Sequence, residues 1–251
     1  MDKDKDGIKG FFKLSNEIKK RNFDKVFIFN SSLRYNLIAK FSGIKEVFQY
    51  PLFQKKQQHI TETPKKFIKE KFELTVEDDP EIEINDMIAQ ETIEKFQIDK
   101  KEINILLGIG GSGPTKRIPA NTFIKVIDKI SKIKNCKFFL ATGKNEEEQV
   151  ILRDILSSEF SGLCKPLDDF SLREIMPLIK NCNLSICNDT SFSHLSAALG
   201  VKTITLMADT PLIYGNYSSK MFPIIPDGEE TVSHNTSVSY THLTLPTISD
   251  V

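Results

Sequence analysis

The chain has 251 residues with 34 Lys+Arg against 34 Asp+Glu, so its formal charge is zero; that length fits one large domain or two small ones, and the balance argues against a dedicated nucleic-acid binder, which needs a basic surplus. Hydrophobic residues make up 39% and charged residues 27%, as in ordinary globular chains, and apolar runs such as Ile103–Ile109 fall far short of the roughly 20 residues that cross a bilayer. The charged start MDKDKDGIKG leads into no apolar signal region, and Cys136, Cys164, Cys182 and Cys187 form no CxxC pair, so they read as reduced thiols of a cytosolic protein.

The first element reads as a helix, with Ile8, Phe11, Phe12 and Ile18 roughly on the 3.6 period. A strand (Val26–Phe29), a helix (Leu33–Phe41) closed by Gly43 and a strand (Glu46–Gln49) follow. Two short strands do not make a stable parallel sheet alone. Residues 1–53 therefore read as the back half of an α/β domain, with Met1 an internal or artificial start and poor solubility expected of the chain by itself. Residues 54–100 are charged and strand-poor, punctuated by Pro64 and Pro80. Helices fit at about 65–71 and 85–97, with the charge runs as solvated faces, and the stretch reads as a connection between domains.

Residues 101–237 alternate regularly. Strands are predicted at Ile103–Ile109, Lys137–Ala141, Leu184–Cys187 and Thr203–Met207, and helices at 120–133, Glu146–Leu156, Ser171–Lys180 and Phe192–Leu199. Ser171 with Glu174 forms a capping box, and Gly200 ends the last helix. Such alternation means βαβ units, a parallel sheet and ligands at the carboxyl ends of its strands. The loops of interest are 108–119, 142–146, 188–193 and 208–216. Residues 238–251 differ in character: Val238–Thr247 (VSYTHLTLPT) reads as a translated sequencing adapter, so Tyr240 and His242 carry no function and the natural sequence continues past about Thr236.

Loop GIGGSGPTKRIP holds G-x-G-x-x-G (Gly108, Gly110, Gly113) after a strand, which invites a dinucleotide reading. Two features oppose it: Pro114 follows the last Gly, and the second strand ends in Thr142-Gly143-Lys144 rather than an acid. A P-loop fails because Pro114 sits where that motif needs Lys. What remains is either a tight turn with surface charges or a loop whose amides, with Lys116 and Arg117, suit a phosphate. In TGKNEEE, Glu146–Glu148 either compensate a helix dipole or supply a carboxylate to a ribose. In CNDTSFSHLSAALG, Asp189 or Thr190 caps a helix whose first-turn amides suit a diphosphate, with Ser191, Ser193 and His194 adding donors; the alternative is a plain cap with a core-facing His. An anionic Asp189 beside phosphate is unfavourable, so it fits orienting the loop or bonding a sugar. MADTPLIYGNYS reads only as a ligand-side loop.

Three segments, NSSLRYNLIAKFSGIKEVFQYP, GIGGSGPTKRIPANTFIKVIDKI and NDTSFSHLSAALGVKTITLMADTP, resemble motifs of glycosyltransferase family 9, the ADP-heptose:lipopolysaccharide heptosyltransferase family, over about residues 10–230. The resemblance implies an α/β, GT-B type fold: two Rossmann-like domains across a cleft, the N-terminal one (1–53) incomplete, then the 54–100 connection and a nucleotide-sugar-binding domain (101–237). Lys116 would contact the donor phosphates, with Ser112 and Thr115 on the same loop; Glu147 would hold the ribose; Asp189, Thr190 and the Ser191 amide would line the diphosphate, with His194 close by. The sequence departs from the family pattern at Ile118 (Trp in the family), at Ser191 (Gly) and over Ala208–Pro211. The family's general base, an Asp after a first strand, has no counterpart here, since Asp2, Asp4 and Asp6 precede a helix; the base is expected upstream of Met1.

The reaction implied is inverting transfer of a heptose-like sugar from an ADP-heptose-like donor to a lipopolysaccharide or other saccharide or lipid-linked acceptor. No metal and no cofactor are implied, because a cation and a helix terminus meet the leaving charge. A bacterial, cytoplasmic protein is implied, with a peripheral place at the inner membrane surface and no nucleic-acid partner. A nicotinamide-dependent oxidoreductase, a sugar-nucleotide epimerase of the same architecture and a non-catalytic nucleotide-sugar-binding fragment remain as rivals.

Overall fold

The computed structural model describes residues 7–52, 61–77, 79–208 and 210–225. Asp2, Asp4, Asp6, Asp209 and the 238–251 segment with Tyr240 and His242 lie outside the described residues. The chain forms two compact units, Met1–Glu77 and Asp78–Val251. Among the described residues no helix is long and apolar enough to cross a membrane.

The first unit holds α1 (Gly7–Lys19), β1 (Lys25–Ile28), α2 (Leu33–Phe41), β2 (Glu46–Gln49) and α3 (Glu62–Phe72). β1 and β2 pair in parallel, from Lys25↔Glu46 to Ile28↔Gln49. Aromatic edges seat α3: Phe67 meets Phe29 and Tyr50 at 5.7 and 5.2 Å, and Phe72 meets Phe27 and Phe48 at 5.0 Å each. Pro64 lies within the first turn of α3, where its missing N–H costs nothing. An apolar hollow of about 460 Å³ lies among Leu14, Ile18, Phe23, Val26, Phe29 and Ile38, and Phe27, Phe29 and Phe41 are exposed.

The second unit begins with α4 (Asp86–Phe96) and continues as β3 (Ile103–Gly108), α5 (Ala120–Ser131), β4 (Cys136–Ala141), α6 (Glu146–Leu156), β5 (Cys164–Pro166), α7 (Leu172–Lys180), β6 (Leu184–Asn188), α8 (Ser191–Ala198), β7 (Thr203–Leu206) and β8 (Met221–Ile224). The six strands are parallel in the order β5-β4-β3-β6-β7-β8. This is the doubly wound order, with its switch point between β3 and β6. Strand alternation divides the core: Ile105 and Leu107 of β3 join Phe138, Phe123 and Ile127 on one face, and Leu106 joins Phe139, Leu178 and Ile179 on the other.

β5 and β8 are absent from the sequence-based reading. Each carries a proline, Pro166 or Pro223, which weakens a strand signal. Both are outer strands, where proline is tolerated. The Leu167 amide bonds Leu140, and the Thr203 amide bonds Lys220, so ladder alternation leaves both proline nitrogens facing away from the sheet.

Residues 54–100, read from sequence as one connection, are shared between the units: α3 packs in the first and α4 in the second. Phe96 is wholly buried beside Phe170, and Lys165 and Lys137 donate to the terminal carbonyls of Phe96 and Gln97 at 3.2 and 3.4 Å. Two cations thus meet the negative end of the α4 dipole. Phe96→Ala should destabilise this unit by about 3–5 kcal/mol in urea unfolding; an unchanged midpoint would make α4 a mere tether.

Candidate functional site

The switch point places the loop after β3 against the turn after β6. Asn188, wholly buried at the end of β6, joins them: its Nδ2 donates to the carbonyls of Ile109 and Gly110, each at 3.0 Å. The first loop then folds back on itself. A Cβ at Gly111 would lie 2.7 Å from the Lys116 carbonyl oxygen, so only glycine fits there. Pro114–Lys116 form a single 3-10 turn, and this turn aims the Lys116 side chain across the gap.

Lys116 Nζ lies 2.7 Å from Asp189 Oδ2. The Asp189 side chain is 4% exposed and that of Lys116 25% exposed, so the pair joins a buried carboxylate to a half-buried ammonium. The lysine thus gives the buried Asp189 carboxylate a cationic partner. α8 begins immediately after. Thr190 is its N-cap with extended backbone, and the Thr190 carbonyl accepts from the Ser193 amide at 3.1 Å and from Ser193 Oγ at 2.8 Å. The Thr190 hydroxyl makes no cap hydrogen bond. Gly200, at φ +80°, ends the helix with the Gly200 and Val201 amides bonding Ala197 and Ser196, a Schellman stop.

His194, one turn into α8, is half-buried. Its Nε2 stands 3.9 Å from Asp189 Oδ1 and its Nδ1 2.7 Å from the Tyr217 hydroxyl. Burial holds the imidazole below its ordinary pKa; Asp189 opposes that shift and Lys116 reinforces it. This favours the neutral imidazole. The structure brings Lys116, Asp189, Thr190 and His194 together. Ser112 is exposed and Thr115 half-buried on the Lys116 loop, and Ser191 is exposed on the first turn of α8. Glu147 is exposed, with its carboxylate 3.9 Å from the Arg117 guanidinium. Among the described residues no cluster of three His, Cys, Asp or Glu side chains could hold a metal ion.

Sequence reasoning missed Glu148, Asn188 and Tyr217. Glu148 is buried, and its carboxylate accepts from the Gly111 amide at 3.2 Å, Asn145 Nδ2 at 2.7 Å, Thr142 Oγ1 at 3.0 Å and the Gly143 amide. Asn145 returns the bond as N-cap, accepting from the Glu148 amide at 3.0 Å. One carboxylate thereby ties the loops after β3 and β4 to the start of α6. An Asn three residues before an acid was the available signal, and the run of three glutamates masked it.

Burial pushes the Glu148 carboxyl up, but the bonds from Asn145, Gly143, Gly111 and Thr142 outweigh this and hold it below the ordinary range. Its stabilisation is complete above the unfolded-state pKa and is lost as pH falls through the lower folded-state value. Glu148→Gln should cost about 2–3 kcal/mol at pH 7, because an amide group then faces donors. It should also flatten the acid limb of stability against pH, measured by urea unfolding from pH 7 to 3. Equal acid limbs in both proteins would remove Glu148 from this role.

The chain is 28% identical over 153 residues to "Lipopolysaccharide heptosyltransferase 1" of Campylobacter coli, a match covering 59% of this chain and 44% of that protein, so it spans under half of that relative's length. Its fold matches a family 9 glycosyl transferase from Veillonella parvula, with TM-score 0.73 and 19% identity over 91% of this chain and 71% of the other. It also matches E. coli heptosyltransferase WaaC, solved with ADP, with TM-score 0.63 and 15% identity over 92% and 76% of the two chains. The second unit's parallel Rossmann-like sheet is the fold expected of such GT-B proteins. The model of the family, glycosyltransferase family 9 (heptosyltransferase), matches residues 11–223, more than half of the sequence, and the chain belongs to that family.

Proposed function

We propose that this chain binds a nucleotide-diphosphate sugar, ADP-heptose-like, at the β3/β6 switch point and takes part in inverting, metal-independent transfer of its sugar to a lipopolysaccharide or other saccharide acceptor. The observation that carries the reading is the Lys116–Asp189 pair at 2.7 Å, set at the N-terminus of α8. A diphosphate placed there meets the first-turn amides of α8, including that of Ser191, which together carry roughly half a positive charge. It also meets the two remaining N–H donors of Lys116. Ser112, Thr115, Thr190 and His194 supply further donors around the same hollow.

Glu148 has its carboxylate oxygens engaged by four donors of its own loops, so a ribose falls to the exposed Glu147 on the rim beside Arg117. As the glycosidic bond breaks, negative charge grows on the leaving diphosphate, and fixed donors stabilise that charge more than the ground state. A base takes the acceptor hydroxyl's proton; the residues here serve the leaving-group half of the reaction. An ADP-heptose-like donor is supported by the WaaC protein, which has also been solved with ADP-2-deoxy-2-fluoro heptose. We place the protein in the bacterial cytoplasm, at the inner face of the membrane where lipid-linked acceptors lie.

Lys116→Ala should weaken ADP binding by about 1.5–3 kcal/mol, the scale of a charge-assisted hydrogen bond, and EDTA should leave the wild-type affinity unchanged. Calorimetry checks both. Equal affinity for ADP in wild type and Lys116→Ala would sink the assignment.

A further inference from the structure

Tyr217 is a polar side chain at this site that no motif assigned. It lies between β7 and β8, with its hydroxyl 2.7 Å from His194 Nδ1 and its ring stacked on the imidazole, 5.6 Å between centroids and 13° between planes. The residues after it are pinned by Asp79, whose Oδ2 accepts from Ser218 Oγ at 3.0 Å, the Ser219 amide at 2.9 Å and Ser219 Oγ at 3.2 Å. The Tyr217 ring is thus fixed from its own backbone as well as by its contact with His194.

We infer that Tyr217 is a positioning residue: it donates its O–H to His194 Nδ1, keeps the imidazole proton on Nε2, and so aims an N–H donor at the diphosphate of a bound nucleotide sugar. The diphosphate part of this inference rests on the donor-site reading above. A neutral imidazole has one donor and one acceptor nitrogen, and the group on one nitrogen selects the state of the other. The groups facing this ring are Tyr217 at Nδ1 and, on the other side, Asp189 and Lys116. A proton on Nδ1 would turn the Nε2 lone pair toward the Asp189 carboxylate, an arrangement of like polarity. A proton on Nε2 turns a donor toward it instead. The 3.9 Å between Nε2 and Asp189 Oδ1 exceeds hydrogen-bond length, so Asp189 orients this N–H without consuming it. Burial, with Asp79 and Asp189, pushes the Tyr217 phenol up, which keeps it a donor.

The test is the ring nitrogen spectrum of His194 at pH 7 in wild type and Tyr217→Phe, assigned by the signals lost in His194→Ala. ADP titrations are run on these proteins and on the double variant. Phe retains the ring stack, and an unchanged thermal midpoint shows that the fold is intact. Expected are an Nε2–H ring in the wild type, a mixture of tautomers in Tyr217→Phe, and ADP affinity about fivefold lower in that variant, as for one lost hydrogen bond. The double variant should bind no more weakly than His194→Ala. An Nδ1–H ring in the wild type, the same tautomer in both proteins, or additive losses in the double variant would overturn the inference. If the wild type fails to bind ADP, the donor-site reading falls and the diphosphate role of Nε2–H falls with it, while the ring spectra still decide what Tyr217 does to His194.

Discussion

The site is organised by the ion pair between Lys116 and Asp189. A carboxylate as buried as that of Asp189 would lose most of its hydration with no return unless a cation stood beside it. The cation comes from a loop 73 positions away in sequence, brought to within 2.7 Å by the reversal of strand order between β3 and β6. The pair therefore depends on sheet topology, and in turn it fixes where the loop after β3 ends and where α8 begins. Its two charges nearly cancel within the pair.

Two buried side chains hold the surrounding backbone. Asn188 bonds the carbonyls of the loop after β3, and Glu148 bonds amides and side chains of the loops after β3 and β4. Loop backbone near a ligand is otherwise free to rearrange, and each rearrangement would weaken donors that must point at one place. Here Asn188 Nδ2 and both oxygens of the Glu148 carboxylate are engaged by groups of the loops themselves.

Most of the fold was legible because it rests on local periodicity. α2, β2 and α6 fall on their expected bounds, since each has a local signal: Gly43 after α2, the apolar pair Val47-Phe48 in β2, and the acids of the first turn of α6. β3 and β4 are mostly apolar on both faces, apart from Asn104 and Lys137 near their starts, because both faces of the sheet are covered. What stayed hidden depends on distant neighbours. Nothing local distinguishes Glu148 from Glu146 and Glu147; its burial is set by Gly111 and Thr142 on two other loops. The contact of Tyr217 with His194 spans 23 residues and leaves no pattern in either segment. β5 and β8 are strands because of the neighbours they pair with, and their own residues argue against the assignment.

The two prolines of those outer strands have a consequence for assembly. An ordinary parallel sheet ends in a ladder of free amides, ready to accept a further strand from another molecule. At both margins of the second unit's sheet, one rung of that ladder carries no hydrogen, and the interruption falls on the outward side. Addition of a further strand at either margin would therefore meet a proline ring in place of one donor, a local interruption of the kind that blunts edge-to-edge pairing.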